Sequence, residues 1–346
     1  MNYDSENLVA EIKELSLENK SWVLDGHTDN GQNDDVCSNI DQVIETNHRI
    51  GSQSNAAEVY KVTNAGQSFA CKIMPIINAG HEKENLQEIK HALAASKIVV
   101  DGKSAHFPMV YASGMCPNVR FDKSSNFLVP SQFYQLQKMI HTQYGRHKAL
   151  RYRQLFANRN IDDMLQGAED LGVNASQIET SAHFLISELA WGDLSSYLAK
   201  NKNQLSKQSL KSLYTQILMV IQDMQTHLNM IHDDFHTGNI LVVSGSPIRL
   251  LAHDFGKSRR LEEKPMGRDS LVDIETVTAK LVDNFSLADL EPMMKFISEK
   301  AKCIDDVIGK WADYVGVPSE YVSLLSDNIG FIQSDENDLN SFNQRI

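Results

Sequence analysis

Alternation of apolar and polar residues first becomes regular at Glu58. Two runs rich in β-branched and aromatic residues, EVYKV and SFACKIM, are joined by Thr63-Asn64-Ala65-Gly66-Gln67. Such runs linked by a short Asn/Gly-containing segment predict a β-hairpin. The period then changes, because Leu86, Ile89 and Leu93 recur at helical spacing and predict a helix over His81 to Ala95. Strand-like runs return with FPMVYASG from Phe107 and HFLISEL from His183 to Leu189. Beyond them the helical period dominates, through Leu205 to Leu228, Asp269 to Phe285 and Leu287 to Val315. Strands first and helices later predict an α+β fold, with a small β-rich lobe followed by a mainly helical one.

The ends of the chain lack these patterns. Residues 1–45 form a polar extension with a short helix over Leu8 to Leu17 and an exposed acidic connection, DGHTDNGQNDD, from Asp25 to Asp35. The last stretch, SDENDLNSFNQRI, predicts a frayed tail over 331–346. Between them the β-rich lobe is expected over 46–189 and the helical lobe over 190–330.

Composition narrows the chemistry. A formal net charge of -12 argues against general nucleic-acid coating, which needs clustered cations. Cys37, Cys71, Cys116 and Cys303 are far apart with no C-x-x-C pair. That spacing predicts neither a disulfide framework nor a zinc knuckle, and it fits a reducing, cytoplasmic compartment. The N-terminus lacks the basic end and apolar run of a signal peptide, and no stretch approaches the ~18 apolar residues of a membrane span.

The segment I-H-D-D-F-H-T-G-N-I-L, Ile231 to Leu241, carries His232, Asp234 and Asn239 at H-x-D-x-x-x-x-N spacing. After a hairpin-like Ser244-Gly245-Ser246-Pro247 comes Asp254-Phe255-Gly256. Phosphoryl transfer needs a carboxylate at the attacking hydroxyl, an amide oxygen and a second carboxylate on magnesium, and a cation on the nucleotide phosphates. Taken singly, Asp233 and Asp234 read as turn acids and Asp254 as a helix cap. Together and in this order they resemble the catalytic and metal-binding loops of the protein kinase superfamily.

That resemblance spans about residues 46–290 and implies a bilobal kinase-like fold using ATP and Mg2+ (or Mn2+). It implies Asp234 as catalytic base, with Asn239 and Asp254 as metal ligands. Ala70-Cys71-Lys72-Ile73 supplies the lysine expected on an upstream strand to hold the α- and β-phosphates. Its glutamate partner on the next helix is expected at Glu88, with Glu84 one turn earlier as the alternative. Ile50 to Val62 resembles the phosphate-covering loop, but of its glycines only Gly51 is present, with Ser52, Ser54 and Ala57 as small substitutes. Ile186 to Leu194 resembles the hinge, where backbone groups of Glu188 and Ala190 would meet adenine and Asp193 the ribose. Asp193 also reads simply as an N-cap.

Three departures refine the resemblance. His236 stands two residues after Asp234, where protein kinases usually carry Lys; D-x-H-x-x-N is frequent in aminoglycoside and choline kinases and in some bacterial effector kinases. Asp233 stands where many regulated kinases carry Arg. Only about a dozen residues separate Gly256 from the next predicted helix, with no A-P-E motif. The nearest variety is a short-segment bacterial effector kinase, which would act on Ser or Thr hydroxyls of a protein, in a cytoplasm or in a host cytosol reached by secretion. A small-molecule kinase, a nucleotidyl transferase and a pseudokinase are the alternatives.

About 65 residues, Cys116 to Ala182, form an insertion. Its window Lys138 to Arg159 holds Lys138, Arg146, Lys148, Arg151, Arg153 and Arg159 without an acid. Such a window is a solvated basic helix, a basic helix paired with the acidic N-terminal segment, or an anion site. For the second reading Arg146, Lys148, Arg151 and Arg153 would bind a polyanion such as an inositol polyphosphate or a phosphoinositide.

Overall fold

The computed structural model describes residues 3–19, 22–24, 49–50, 57–64, 66–76, 79–116, 138, 140–142, 145–156, 166, 170, 181–201, 205–244, 248–261, 268–285 and 287–319. The described residues within 1–9, 21–86 and 111–187 form one compact unit; those within 10–20, 87–110 and 188–346 form a second. Helix α1 (Tyr3–Asn19) contributes to both.

The first unit is built on a six-stranded sheet. In chain order its strands are β1 (Trp22–Leu24), β2 (Arg49–Ile50), β3 (Glu58–Asn64), β4 (Gln67–Pro75), β5 (Val110–Cys116) and β6 (Ala182–Glu188). Their spatial order is β1-β5-β6-β4-β3-β2. The expected hairpin is present, with Glu58 opposite Ile73 and Asn64 opposite Gln67. Its turn carries Gly66 at φ 81°, where no neighbour limits the space, so conformation alone selects glycine. Alternation along β4 sends Cys71 and Ile73 into a core with Tyr60, Ala112, Cys116, Ala182 and Phe184, and leaves Lys72 on the opposite face. Burial pushes the Cys71 thiol up to about 12, so it packs as an apolar group.

Two features depart from the sequence reading. Trp22–Leu24 lies inside the expected polar extension, yet pairs in parallel with β5, Trp22 opposite Ala112. Three residues are too few for a period-2 signal. Cys116, buried in the core, is disulfide-bonded, which corrects the expectation drawn from cysteine spacing. Local spacing detects neighbouring pairs and is blind to cysteines far apart in the chain.

The second unit is mainly helical, as the fold class requires. Helix α2 (Ala79–Val100) enters it from Gln87 onward and buries Ile89 and Leu93. Lys90 forms an ion pair with Glu11 of α1. Helix α3 (Arg146–Phe156) belongs to the first unit. After a two-residue strand β7 (Gly192–Asp193) come α4 (Leu194–Asn201) and α5 (Lys207–His227). Helix α5 starts on Ser206, whose hydroxyl accepts the Ser209 N-H.

The chain then returns through β8 (Met230–Ile231), β9 (Ile240–Val243), β10 (Arg249–Ala252) and β11 (Arg259–Arg260). These pair as a β10-β9-β7 sheet and a β11-β8 ribbon. The helix predicted over Asp269 to Phe285 begins as a 3-10 turn, Arg268–Leu271, and continues as α6 (Val272–Phe285). The stretch Leu287 to Val315 is not one helix. It divides into a 3-10 turn, α7 (Glu291–Glu299) and α8 (Ile304–Val315), which both turn apolar faces inward. Trp311 is fully buried, edge-on to Tyr214 at 4.7 Å, and donates to Thr215 Oγ1 at 2.8 Å.

Candidate active site

The segment Met230 to Leu261 folds back on itself. Asn229 and Asp233 adopt left-handed backbone conformations, φ 49° and 63°, which Asn and Asp tolerate better than other side chains. The resulting bend between β8 and β9 leaves the N-H groups of His232 and Asp233 without ladder partners, and the carboxylate of Asp273 on α6 takes both, at 2.8 and 3.0 Å. Asp273 is fully buried. Burial pushes its carboxyl up, against the two N-H bonds that favour the charged form. Beside it, His232 Nε2 donates to the carbonyl of His253 at 2.8 Å, tying the loop to the chain just before Asp254. The ring lies 5.4 Å from both Phe235 and Phe255, and its buried Nδ1 has no partner.

The chemistry-bearing side chains project from this frame. Asn239 Nδ2 donates to the carbonyl of Asp234 at 3.0 Å, which fixes the amide and turns its oxygen the other way. The Asp234 carboxylate is one-third exposed; its Oδ2 accepts from Lys257 Nζ at 2.7 Å, and its Oδ1 lies 4.0 Å from His236 Nε2. His236 Nδ1 accepts the Gly238 N-H at 3.0 Å, which leaves the ring hydrogen on Nε2, facing Asp234. A Cβ on Gly238 would come within 2.9 Å of that ring, so the close approach requires glycine. Thr237 and Ser195 share a hydrogen bond of 2.6 Å that joins the loop to α4. Lys257 itself is held protonated, above the usual lysine range, by its bond to Asp234.

Asp254 is exposed and sits at φ 66°, ψ 61°, a left-handed position that costs about 1 kcal/mol for a residue other than glycine. The strain turns the chain so that Phe255 enters the core beside Phe107. From α2, His91 Nδ1 lies 3.5 Å from the Phe255 carbonyl, and burial holds its imidazole below the usual range. Glu88, one turn earlier, is 7% exposed. Its Oε2 lies 3.5 Å from where a Cβ on Gly256 would stand, with Asp254 Oδ1 3.9 Å from the same point. Glu84, the alternative, is exposed. After the turn, Arg259 Nε donates to Asp233 Oδ2 at 3.0 Å.

Around the hinge-like run, the Glu188 N-H is taken by the Met109 carbonyl at 2.9 Å. The Glu188 carboxylate is paired with Arg249. Ala190 is half-buried. Both oxygens of Asp193 meet Ser196, Oδ1 taking its N-H at 2.8 Å and Oδ2 its hydroxyl at 3.0 Å, which caps α4. In the other unit, Lys72 is half-buried opposite Val59. Gly51, Ser52 and Ser54 lie outside the described residues. On α3, Arg146, Lys148 and Arg151 are exposed around a buried Ala149; the side chain of Arg153 lies outside the described set.

The decisive stretch is the one that holds His232, Asp234, Asn239 and Asp254. Residues 169–275 match the family model for protein tyrosine and serine/threonine kinase. The match covers less than a third of the chain. It takes in the hinge-like run, the whole loop and Asp273, and it supports a protein-kinase-like phosphotransferase that binds ATP. No curated protein matches the chain. Among the described residues no helix is long and apolar enough to cross a membrane.

Three neighbours of these candidate residues were not anticipated from sequence. Asp273 had a legible signal, since it stands four and eight residues before Val277 and Leu281, on the face of α6 that is buried. Lys257 and Arg259 had none. Their partners lie 23 and 26 residues away, and only the return of the chain through β10 brings them together.

Proposed function

We propose that this protein is a Ser/Thr-directed protein kinase of the atypical bacterial effector type. In this reading Asp234 receives the proton of the acceptor hydroxyl, and Asn239 and Asp254 hold Mg2+ or Mn2+. Lys72, paired with Glu88, holds the nucleotide phosphates. Gly51, Ser52 and Ser54 cover them, while Glu188, Ala190 and Asp193 border the base and ribose. One amide oxygen and one carboxylate suit the protein's share of a magnesium shell that nucleotide oxygens complete. When bound, the metal neutralises phosphate charge and polarises the group to be transferred.

The observation that carries the reading is the fixed loop. Asp273 suspends its backbone, Asn239 is tied to the Asp234 carbonyl, and the Asp234 carboxylate stands at a partly open face. A carboxylate so oriented can align a hydroxyl and accept its proton. The short segment after Gly256 and the Arg259 to Asp233 pair support activity without an ordering phosphorylation. Incubation with ATP labelled at γ or at α, with protein and small-molecule acceptors, tests this: γ-label should move to Ser or Thr of protein.

A small-molecule kinase is the second reading, favoured by His236 in the D-x-H-x-x-N arrangement; γ-label appearing only on small acceptors would establish it. Transfer of α-label would instead indicate nucleotidyl transfer, and no transfer a pseudokinase. For the basic helix α3 we propose a regulatory polyanion site of the inositol polyphosphate or phosphoinositide class. Its support is the exposure of Arg146, Lys148 and Arg151 in an acid-free helix.

A further inference from the structure

We propose that Lys257 is a further catalytic residue, whose ammonium neutralises the phosphoryl group as it passes to the hydroxyl held by Asp234; this rests on the phosphotransferase reading above. The transfer breaks the bond from the γ-phosphorus to the β,γ-bridging oxygen and forms one to the acceptor oxygen. The acceptor proton goes to Asp234, ADP leaves with the bridging oxygen, and Lys257 stays protonated throughout. Negative charge spreads over the equatorial oxygens during such a step, so a cation positioned before the reaction is worth far more than one recruited from water.

The loop does not provide that cation where a protein kinase would carry a lysine, because position 236 is His. The His236 ring is committed through Nδ1 to the Gly238 N-H, and it faces Asp234 with a single N-H at 4.0 Å. A charge has to come from another element. Lys257 supplies it: Nζ stands 2.7 Å from Asp234 Oδ2, on the carboxylate that receives the acceptor hydroxyl. A phosphorus bonding to a hydroxyl on that carboxylate passes within roughly 5 Å of it, inside the reach of a four-carbon stem. The Lys257 side chain is 71% exposed, so little packing resists a swing from carboxylate to phosphoryl oxygen. The residue also follows the Asp254-Phe255-Gly256 turn directly, in the 3-10 turn Phe255–Lys257, so its backbone is fixed to the candidate metal ligand.

Geometry alone allows the opposite sign, in which the ammonium only occupies Asp234 and blocks it. Activity distinguishes the two. The full chain is assayed as wild type, Lys257→Ala and Lys257→Arg, with Asp254→Ala as control. Turnover, KM for ATP, and affinity for ADP with and without magnesium and aluminium fluoride, which mimics the planar phosphoryl group, are measured. Lys257→Ala should lower kcat about 10²- to 10³-fold with KM for ATP within ~3-fold of wild type, and should lose most of the tightening that aluminium fluoride gives to ADP. Lys257→Arg should restore part of both. Unchanged or raised turnover in Lys257→Ala, beside an active wild type and an inactive Asp254→Ala, overturns the proposal alone. A fall in turnover with aluminium fluoride binding intact overturns it too, since that is the mark of a merely structural role. A wild type that neither binds ATP nor transfers phosphate overturns the phosphotransferase reading and this proposal with it.

Discussion

Asp273 offers the sharpest test of how the loop is held. Replacing it by alanine removes the acceptor of the His232 and Asp233 N-H groups; His232 is fully buried and its donor cannot turn to water, whereas Asp233 is exposed and its donor can do so in part. Each stranded donor costs about 1–3 kcal/mol. The full cost applies to the His232 donor and only a fraction of it to the Asp233 donor, and relief of the buried carboxylate, evident in its raised pKa, offsets part of this. A net loss of about 2 kcal/mol is expected, a sizeable share of the 5–15 kcal/mol typical of a domain. Asp273→Asn keeps one acceptor oxygen and should lose about half as much. Urea unfolding followed by tryptophan emission, with buried Trp311 as one reporter, measures the loss at several protein concentrations. Turnover in native buffer should fall for both variants with little change in ATP affinity, because the loop that carries Asp234 shifts while Lys72 does not. If Asp273→Ala unfolds at the wild-type urea concentration, the loop is held by something else and the argument from its buried carboxylate is wrong.

Other expectations are independent of that one. Burial depresses the His183 imidazole to about 4 from 6.5. The unfolded chain therefore binds a proton that the native one refuses, so this stability is present above pH 6.5 and is lost as pH falls through 4. The loss is about 3 kcal/mol, and His183→Phe should remove that part of the acid dependence; an unchanged slope contradicts it. Glu88→Ala should lower turnover steeply while Glu84→Ala is nearly silent, and the reverse ranking would move the lysine partner one turn back. Replacing Arg146, Lys148, Arg151 and Arg153 together by glutamine should abolish salt-sensitive binding of inositol hexakisphosphate in calorimetry; equal heats for both proteins would leave α3 a solvated surface.

Much of the framework was readable because local rules agree with the fold there. The hairpin of β3 and β4, the outward Lys72 between inward Cys71 and Ile73, and the buried stripe of α5 all follow from period alone. The loop motif was legible for a different reason: His232, Asp234, Asn239 and Asp254 stand at spacings that resemble the catalytic and metal-binding loops of protein kinases. What escaped depends on long-range return of the chain. Trp22–Leu24 is a strand only because β5 offers it an edge, and the Cys116 disulfide needs a partner distant in sequence. The pairing of Lys257 with Asp234 and of Arg259 with Asp233 depends on the left-handed turn at Asp254, a conformation that aspartate tolerates but that local pattern does not single out. The break between α7 and α8 escaped because two short amphipathic helices and one long one share a period.

The most direct test of the central claim compares wild type with Asp254→Ala in transfer of label from γ- and α-labelled ATP, with magnesium present or chelated, after both are shown to unfold alike. Wild type should move the γ-label alone, only with the metal, and Asp254→Ala should move none. Transfer that persists in Asp254→Ala or after chelation, or movement of the α-label, would contradict the account.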